Sequence, residues 1–248
     1  MTVDLSGRVA IVTGGGRGIG RSIALGYARA GADVLISVAR NLAEAEEVAA
    51  ESVALPGRIE AVRADVTVPA DVDALVQRAL AFTGRIDVLV NNAARGMRFV
   101  NERFMTEPQP FWEADPVAWR MVIETNIVGV FLMSRAVVPR MLAAGSGSII
   151  NVTVNQSTMV RRGFSPYGPS KAALEAMTQV WAAELEGTGV TLNLLLPGGA
   201  TATGMVPDSV PEGVELLSPD IVVAPALHLA VADSSGQRIV ASEWQQPG

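Results

Sequence analysis

Short apolar runs bounded by turn residues alternate along the chain with longer segments whose apolar positions recur at helical spacing. The runs predict strands over Val9–Thr13, Val34–Val38, Arg58–Ala64, Ile86–Asn91, Ser148–Val152, Thr191–Leu195 and Arg238–Ala241. Several are near-continuous Val, Ile and Leu, as in strands covered on both faces. Helical spacing runs over Gly18–Ala30, Leu42–Val53, Pro69–Phe82, Pro116–Ala144, Pro166–Glu186 and Asp220–Ala230. Strands that alternate with helices in this way predict βαβ units, and so an α/β fold with a doubly wound parallel sheet of about seven strands. No repeat or linker divides the pattern, so a single domain over residues 1–248 is expected.

Two stretches break the rhythm. Residues 95–115 are rich in large apolar side chains (Met97, Phe99, Phe104, Met105, Phe111, Trp112), and residues 198–218 form a Gly/Pro-rich connection containing Thr201, Thr203, Met205 and Pro211. Both follow strand C-termini, where open α/β sheets bind ligands, and long loops there read as the mouth of a substrate site.

Composition narrows the partners. A net charge of −6 and a pI near 4.9 argue against nucleic-acid or anionic-membrane surfaces. With no cysteine there are no disulfides or thiolate metal sites, and the single histidine, His228, has no second histidine to share a metal. Neither a secretory leader nor an apolar run of membrane length is apparent, so a soluble, cytoplasmic protein is expected. The segments 116–144 and 166–186 carry apolar residues on more than one face, including Val130, Val137, Met177 and Trp181. That excess predicts self-association.

The chemistry begins with one lysine. Lys171 is the only lysine among 19 basic residues, and it stands four positions after Tyr167, one of two tyrosines. Random placement would do this roughly 1% of the time at ordinary composition. On a helix the step puts phenol and ammonium on one face. A cation there is expected to pull the phenol pKa down toward neutrality. After the first strand, Thr13-Gly14-Gly15-Gly16-Arg17-Gly18-Ile19-Gly20 opens a helix. Glycines in that place allow a tight turn and bring backbone amides against a diphosphate. The spacing is T-G-x-x-x-G-x-G.

With Asp65-Val66 after the third strand, Asn91-Asn92-Ala93-Ala94 after the fourth, Asn126, Tyr167-x-x-x-Lys171 and Pro197-Gly198, the chain resembles the short-chain dehydrogenase/reductase family over essentially its whole length. The resemblance implies a Rossmann-like oxidoreductase, a ketoreductase moving hydride between a nicotinamide cofactor and a small or medium carbonyl or alcohol. It implies that Gly14, Gly16, Arg17, Gly18 and Ile19 hold the diphosphate end, and that Asp65 and Val66 meet the adenine. Asn92, Ala93, Ala94, Pro197, Gly198 and Thr203 would surround the nicotinamide side. Tyr167 would be the general acid/base, Lys171 would hold the ribose hydroxyls, and Asn126 would hold a water leading to Lys171. A homodimer or homotetramer is implied as well. The end of the second strand has Val38 and Ala39 where an acid would bind the ribose of NAD, and Arg40 follows. Arg17 and Arg40 therefore favour NADP(H), with NAD(H) as the alternative.

One position departs from the family. The serine usually found about 13 positions before the tyrosine is Val154 here, within Thr153-Val154-Asn155-Gln156-Ser157. Asn155, just beyond the strand, is the expected replacement donor, with Thr153 and Ser157 as alternatives. Without any donor the chain would be a cofactor-binding protein with weak or no catalysis. An epimerase or dehydratase on the same fold would show product without net cofactor consumption.

Overall fold

The computed structural model describes residues 3–207 and 210–246, so residues 208 and 209 of the second loop lie outside it. Seven strands form one parallel sheet: β1 (Val9–Thr13), β2 (Asp33–Val38), β3 (Ile59–Arg63), β4 (Val88–Asn91), β5 (Gly147–Val152), β6 (Val190–Leu196) and β7 (Arg238–Val240). Their order is β3-β2-β1-β4-β5-β6-β7. The order reverses between β1 and β4, and a crevice opens beyond the C-terminal ends of strands at such a point. The helices are α1 (Gly18–Arg29), α2 (Leu42–Glu51), α3 (Pro69–Thr83), α4 (Pro116–Ile123), α5 (Gly129–Ala144), α6 (Gln156–Met159), α7 (Tyr167–Glu184) and α8 (Val223–Leu229).

Alternation along each strand feeds two cores. From β1, Ala10 and Val12 join the cluster containing Ile23, Tyr27 and Leu229 on one face of the sheet. Val9 and Ile11 join Leu75, Met133, Val137 and Met141 on the other. Every residue of β1, β4 and β6 is buried, which is why these strands read as largely apolar, with Thr13, Asn91, Thr191 and Asn193 as their polar members.

Several boundaries differ from the sequence reading. The fourth strand starts at Val88 rather than Ile86; Asp87 just before it still bonds by backbone to Val9 (2.8 Å) and Ser148 (2.9 Å), while its buried carboxylate takes the Val9 amide at 2.8 Å. The segment 116–144 is one helical rod, but Glu124–Val128 is wound as a π-helix that carries Asn126. By length and mean hydropathy (1.6) this rod qualifies as a membrane span, contrary to the expectation that no such segment exists. In the fold, Met133, Val137 and Met141 cover the sheet. Val130 and Val137, read as apolar excess, are likewise buried inside the molecule, whereas Val128, Phe131 and Val180 are exposed. The eighth helix starts at Val223 because Pro219–Val222 forms a 3₁₀ turn. The short helix α6 was not anticipated at all.

Candidate active site

The crevice is built by Thr13, the last residue of β1. Its hydroxyl donates to the Val90 carbonyl (3.2 Å) and accepts from the amides of Asn92 and Ala93 (both 3.0 Å), which locks the end of β1 to the chain leaving β4. Asn92 returns the tie, donating Nδ2 to the carbonyls of Thr13 (2.9 Å) and Gly14 (3.1 Å). The glycines make this approach possible. Gly14 and Gly18 have φ of +67° and +54°, in the left-handed region that glycine tolerates. A Cβ on Gly20 would lie 2.4 Å from the Gly14 carbonyl oxygen and 2.5 Å from Asn92 Nδ2. Gly20→Ala is therefore expected to push those groups apart, costing about 1–3 kcal/mol. Thermal unfolding checks this, and an unchanged Tm would contradict it.

Over these glycines lies a cavity of about 420 Å³. Gly14, Gly16, Arg17, Gly18, Ile19, Arg40, Asp65, Val66, Asn92, Ala93, Ala94 and Thr203 all line it. Asp65 is held by its own turn, its carboxylate accepting from the Thr67 amide (2.9 Å) and hydroxyl (2.7 Å). A cleft of glycine backbone at a helix N-terminus, flanked by guanidinium groups, fits a dinucleotide. Arg17 and Arg40 form no salt bridge among the described residues. The sequence reading missed Arg95, which lines the same cavity. Its Cζ lies 5.2 Å from the Phe99 ring centre, and that of Arg40 lies 5.9 Å from the same centre. Burial, and then the charge of Arg40, hold the Arg95 pKa below its ordinary value, with Asp65 and Glu124 opposing.

A second cavity, of about 250 Å³, opens from the first. Ile19, Asn92, Ala94, Gly96, Thr203 and Met205 border both, so the two make one continuous cleft. Tyr167, Lys171, Asn155, Pro197 and Gly198 line the second cavity beside Met97, Phe104 and Phe164. Those three apolar residues form their own buried cluster, with Tyr167 packed against it. The apolar loop expected to border a substrate thus divides: residues 95–99 face mainly the first cavity, Met97 and Phe104 face the second, and Phe111 and Trp112 are exposed.

Tyr167 and Lys171 share this cleft, but their electrostatics correct the expected shift. Lys171 is 4% exposed, and its ammonium donates to the Val152 carbonyl at 2.8 Å and lies 6.0 Å from the Tyr167 ring centre. Burial pushes the phenol up to about 12 and the ammonium down to about 8. Desolvation outweighs the attraction of a cation at that distance.

Asn126 is fixed by three side-chain hydrogen bonds. It lines neither cavity and is 1% exposed. Its amide accepts from the Arg95 backbone N–H (2.8 Å) and donates to the Arg95 carbonyl (3.1 Å) and the Ser170 hydroxyl (3.0 Å). The Asn126 side chain therefore joins the Arg95 turn to the residue preceding Lys171.

Val154 lies just past β5, where the chain turns so that Thr153, Val154 and Asn155 all border the second cavity. Thr153 is committed elsewhere, its hydroxyl donating to Glu175 at 3.2 Å. Asn155 donates Nδ2 to the Gly198 carbonyl at 2.8 Å. Ser157 is exposed and does not border the cavity, whereas Thr158 does.

A sequence model of the family described as short chain dehydrogenase matches residues 8–212. The chain belongs to the short-chain dehydrogenase/reductase family. It is 38% identical to a 3-oxoacyl-[acyl-carrier-protein] reductase of Synechocystis sp. over 78% of this chain and 74% of that protein. To an NADPH-dependent aldehyde reductase-like chloroplastic protein of Arabidopsis thaliana it is 34% identical, over 87% and 81%. A metagenomic short-chain oxidoreductase solved in complex with NADP superposes with a TM-score of 0.79 at 30% identity, covering 95% of this chain and 96% of that one. This short-chain dehydrogenase/reductase is thus an NAD(P)-dependent enzyme acting on carbonyl or alcohol groups.

Proposed function

We propose that this enzyme reduces a small or medium, largely apolar carbonyl with NADPH, and that Tyr167 gives the proton to the carbonyl oxygen. The observation that carries the reading is the position of Tyr167 and Lys171, in the cavity walled by Met97, Phe104 and Phe164 that opens from the arginine-flanked cleft. When bound, the dinucleotide supplies or accepts the hydride. Arg17, Arg40 and Arg95 would hold its phosphates, and Lys171 its nicotinamide-side ribose. With its pKa at about 12, Tyr167 keeps its proton through the neutral range, the form a general acid needs. The apolar walls exclude water from the reacting oxygen and favour an uncharged carbonyl. A cofactor-binding protein without turnover is not favoured, because Tyr167 and Lys171 are both in place. Exposed Phe131, Val128 and Val180 support a homodimer or homotetramer.

The test is a panel of aldehydes, ketones and alcohols with each cofactor, followed by absorbance of the reduced nicotinamide. Turnover of none of them would defeat the reading. On one substrate, kcat/KM is expected to favour NADP(H), since Val38 and Ala39 offer no acid to oppose a 2′-phosphate and four arginines, Arg17, Arg40, Arg95 and Arg98, border the cleft. Arg40→Ala should move the preference toward NAD(H) by about tenfold or more, the loss of one charge-assisted contact. A wild-type preference for NAD(H) above about tenfold, or 1.4 kcal/mol, would refute the assignment.

A further inference from the structure

The family position for the hydroxyl that steadies the substrate oxygen holds Val154, which has no proton to donate, and the polar groups around it are largely occupied. Thr153 is 1% exposed and gives its hydroxyl to Glu175. Glu175 is in turn paired with Arg238 at 3.0 Å, and Arg238 donates to the Val154 carbonyl at 3.1 Å. These hydrogen bonds link Thr153, Glu175, Arg238 and the Val154 carbonyl to one another and leave the Thr153 hydroxyl engaged. Asn155 ties the start of α6 to Gly198, so its side chain braces the second loop. Lys171 is turned to Val152, and Asn92 to Thr13 and Gly14.

Thr158 is different. Its backbone is anchored in α6, with its amide donating to the Asn155 carbonyl at 2.9 Å. The residue borders the cavity that Tyr167 borders. Its hydroxyl has no hydrogen-bond partner among the described residues. The backbone on either side shows how close the two elements come. A Cβ on Gly168, next to Tyr167, would lie 2.2 Å from the carbonyl oxygen of Met159, next to Thr158. Glycine at 168 therefore lets α6 press against the first turn of α7. That contact brings Thr158 to the edge of the cavity at which Tyr167 stands.

We propose that the Thr158 hydroxyl is the hydrogen-bond donor to the substrate oxygen, taking the role that Val154 cannot fill, while Asn155 is a positioning residue for the loop at Gly198. This rests on the reading of Tyr167 as the acid. Thr158 keeps its own proton and donates only a hydrogen bond; the transferred proton comes from Tyr167. A donor aimed at developing negative charge lowers the barrier to the chemical step more than it strengthens ground-state binding. Its loss should therefore appear in kcat.

Thr158→Val keeps the shape and removes the donor, and Thr158→Ser keeps the donor. On the best substrate of the panel, Thr158→Val is expected to lower kcat by roughly 100-fold. Thr158→Ser should stay within about fivefold of wild type, a margin below the 1.4 kcal/mol that makes tenfold. The dissociation constant for NADPH, read by quenching of protein fluorescence, should be unchanged in both, which also shows that both are folded. Asn155→Ala is expected to act mainly on KM. Adding Val154→Ser to Thr158→Val should recover about tenfold or more in kcat. Three results would overturn the proposal: Thr158→Val with wild-type kcat, Thr158→Ser as slow as Thr158→Val, or Asn155→Ala lowering kcat more than Thr158→Val does. All three presuppose a wild type that turns over. An inactive wild type defeats the oxidoreductase reading, whereas an active one with an undiminished Thr158→Val defeats only the role of Thr158.

Discussion

Tyr167→Phe is expected to lower kcat for carbonyl reduction by at least about 100-fold, the low end of what a positioned acid contributes. The substitution removes one oxygen and keeps the ring that packs on the Met97, Phe104 and Phe164 cluster, so the fold and the cleft should persist. NADPH affinity should stay within about threefold, since the arginine-flanked cavity is untouched. The pH profile adds a second check. A phenol held near 12 stays protonated from pH 6 to 9, so wild-type reduction should show no limb from its deprotonation in that range. Stopped-flow single turnovers separate chemistry from release, and fluorescence titration gives the affinity. Wild-type turnover by the variant would remove Tyr167 from the mechanism.

The raised phenol pKa shows where sequence reading reaches its limit. The four-residue step between Tyr167 and Lys171 was legible because helical periodicity fixes which side chains share a face. The sign of the pKa shift was not, since it depends on desolvation and on a 6.0 Å separation that no spacing rule contains. The strands were legible for a related reason. Burial on both faces favours near-continuous apolar runs, and the start of β4 is blurred at Asp87, whose carboxylate takes the Val9 amide while its backbone still bonds to Val9 and Ser148. The glycine run was readable because a left-handed φ and close backbone contact leave few alternatives to glycine. By contrast, Gln156–Met159 carries no apolar period, and α6 forms where Asn155 is tied to Gly198 and Met159 lies against Gly168. Thr158 was thereby missed. Arg95 was missed similarly, for its turn is set by Asn126 from another helix, 31 positions away in sequence.

Lys171→Met should abolish turnover and weaken NADPH binding, and it should also change how stability depends on pH. The ammonium is buried with a single carbonyl as hydrogen-bond partner, and its pKa falls from 10.5 to about 8. Between those two values the unfolded chain holds the proton and the folded chain releases it. Wild-type stability therefore rises with pH across that window, and the gain is lost again as pH falls through about 8. Methionine cannot titrate, so the variant lacks this slope. From pH 7 to 10.5 the stability difference should move in favour of wild type by up to roughly 3 kcal/mol, the equivalent of the shift. At pH 7 the variant sheds a desolvated charge but leaves the Val152 carbonyl without its donor, which costs about 1–3 kcal/mol. The two terms are of similar size there, so the sign at one pH decides nothing and the change with pH decides the case. Denaturant unfolding of both proteins at pH 7, 8, 9 and 10 measures it. Parallel curves would mean that Lys171 keeps an ordinary pKa in the fold, and that the cleft does not hold it desolvated before the cofactor arrives.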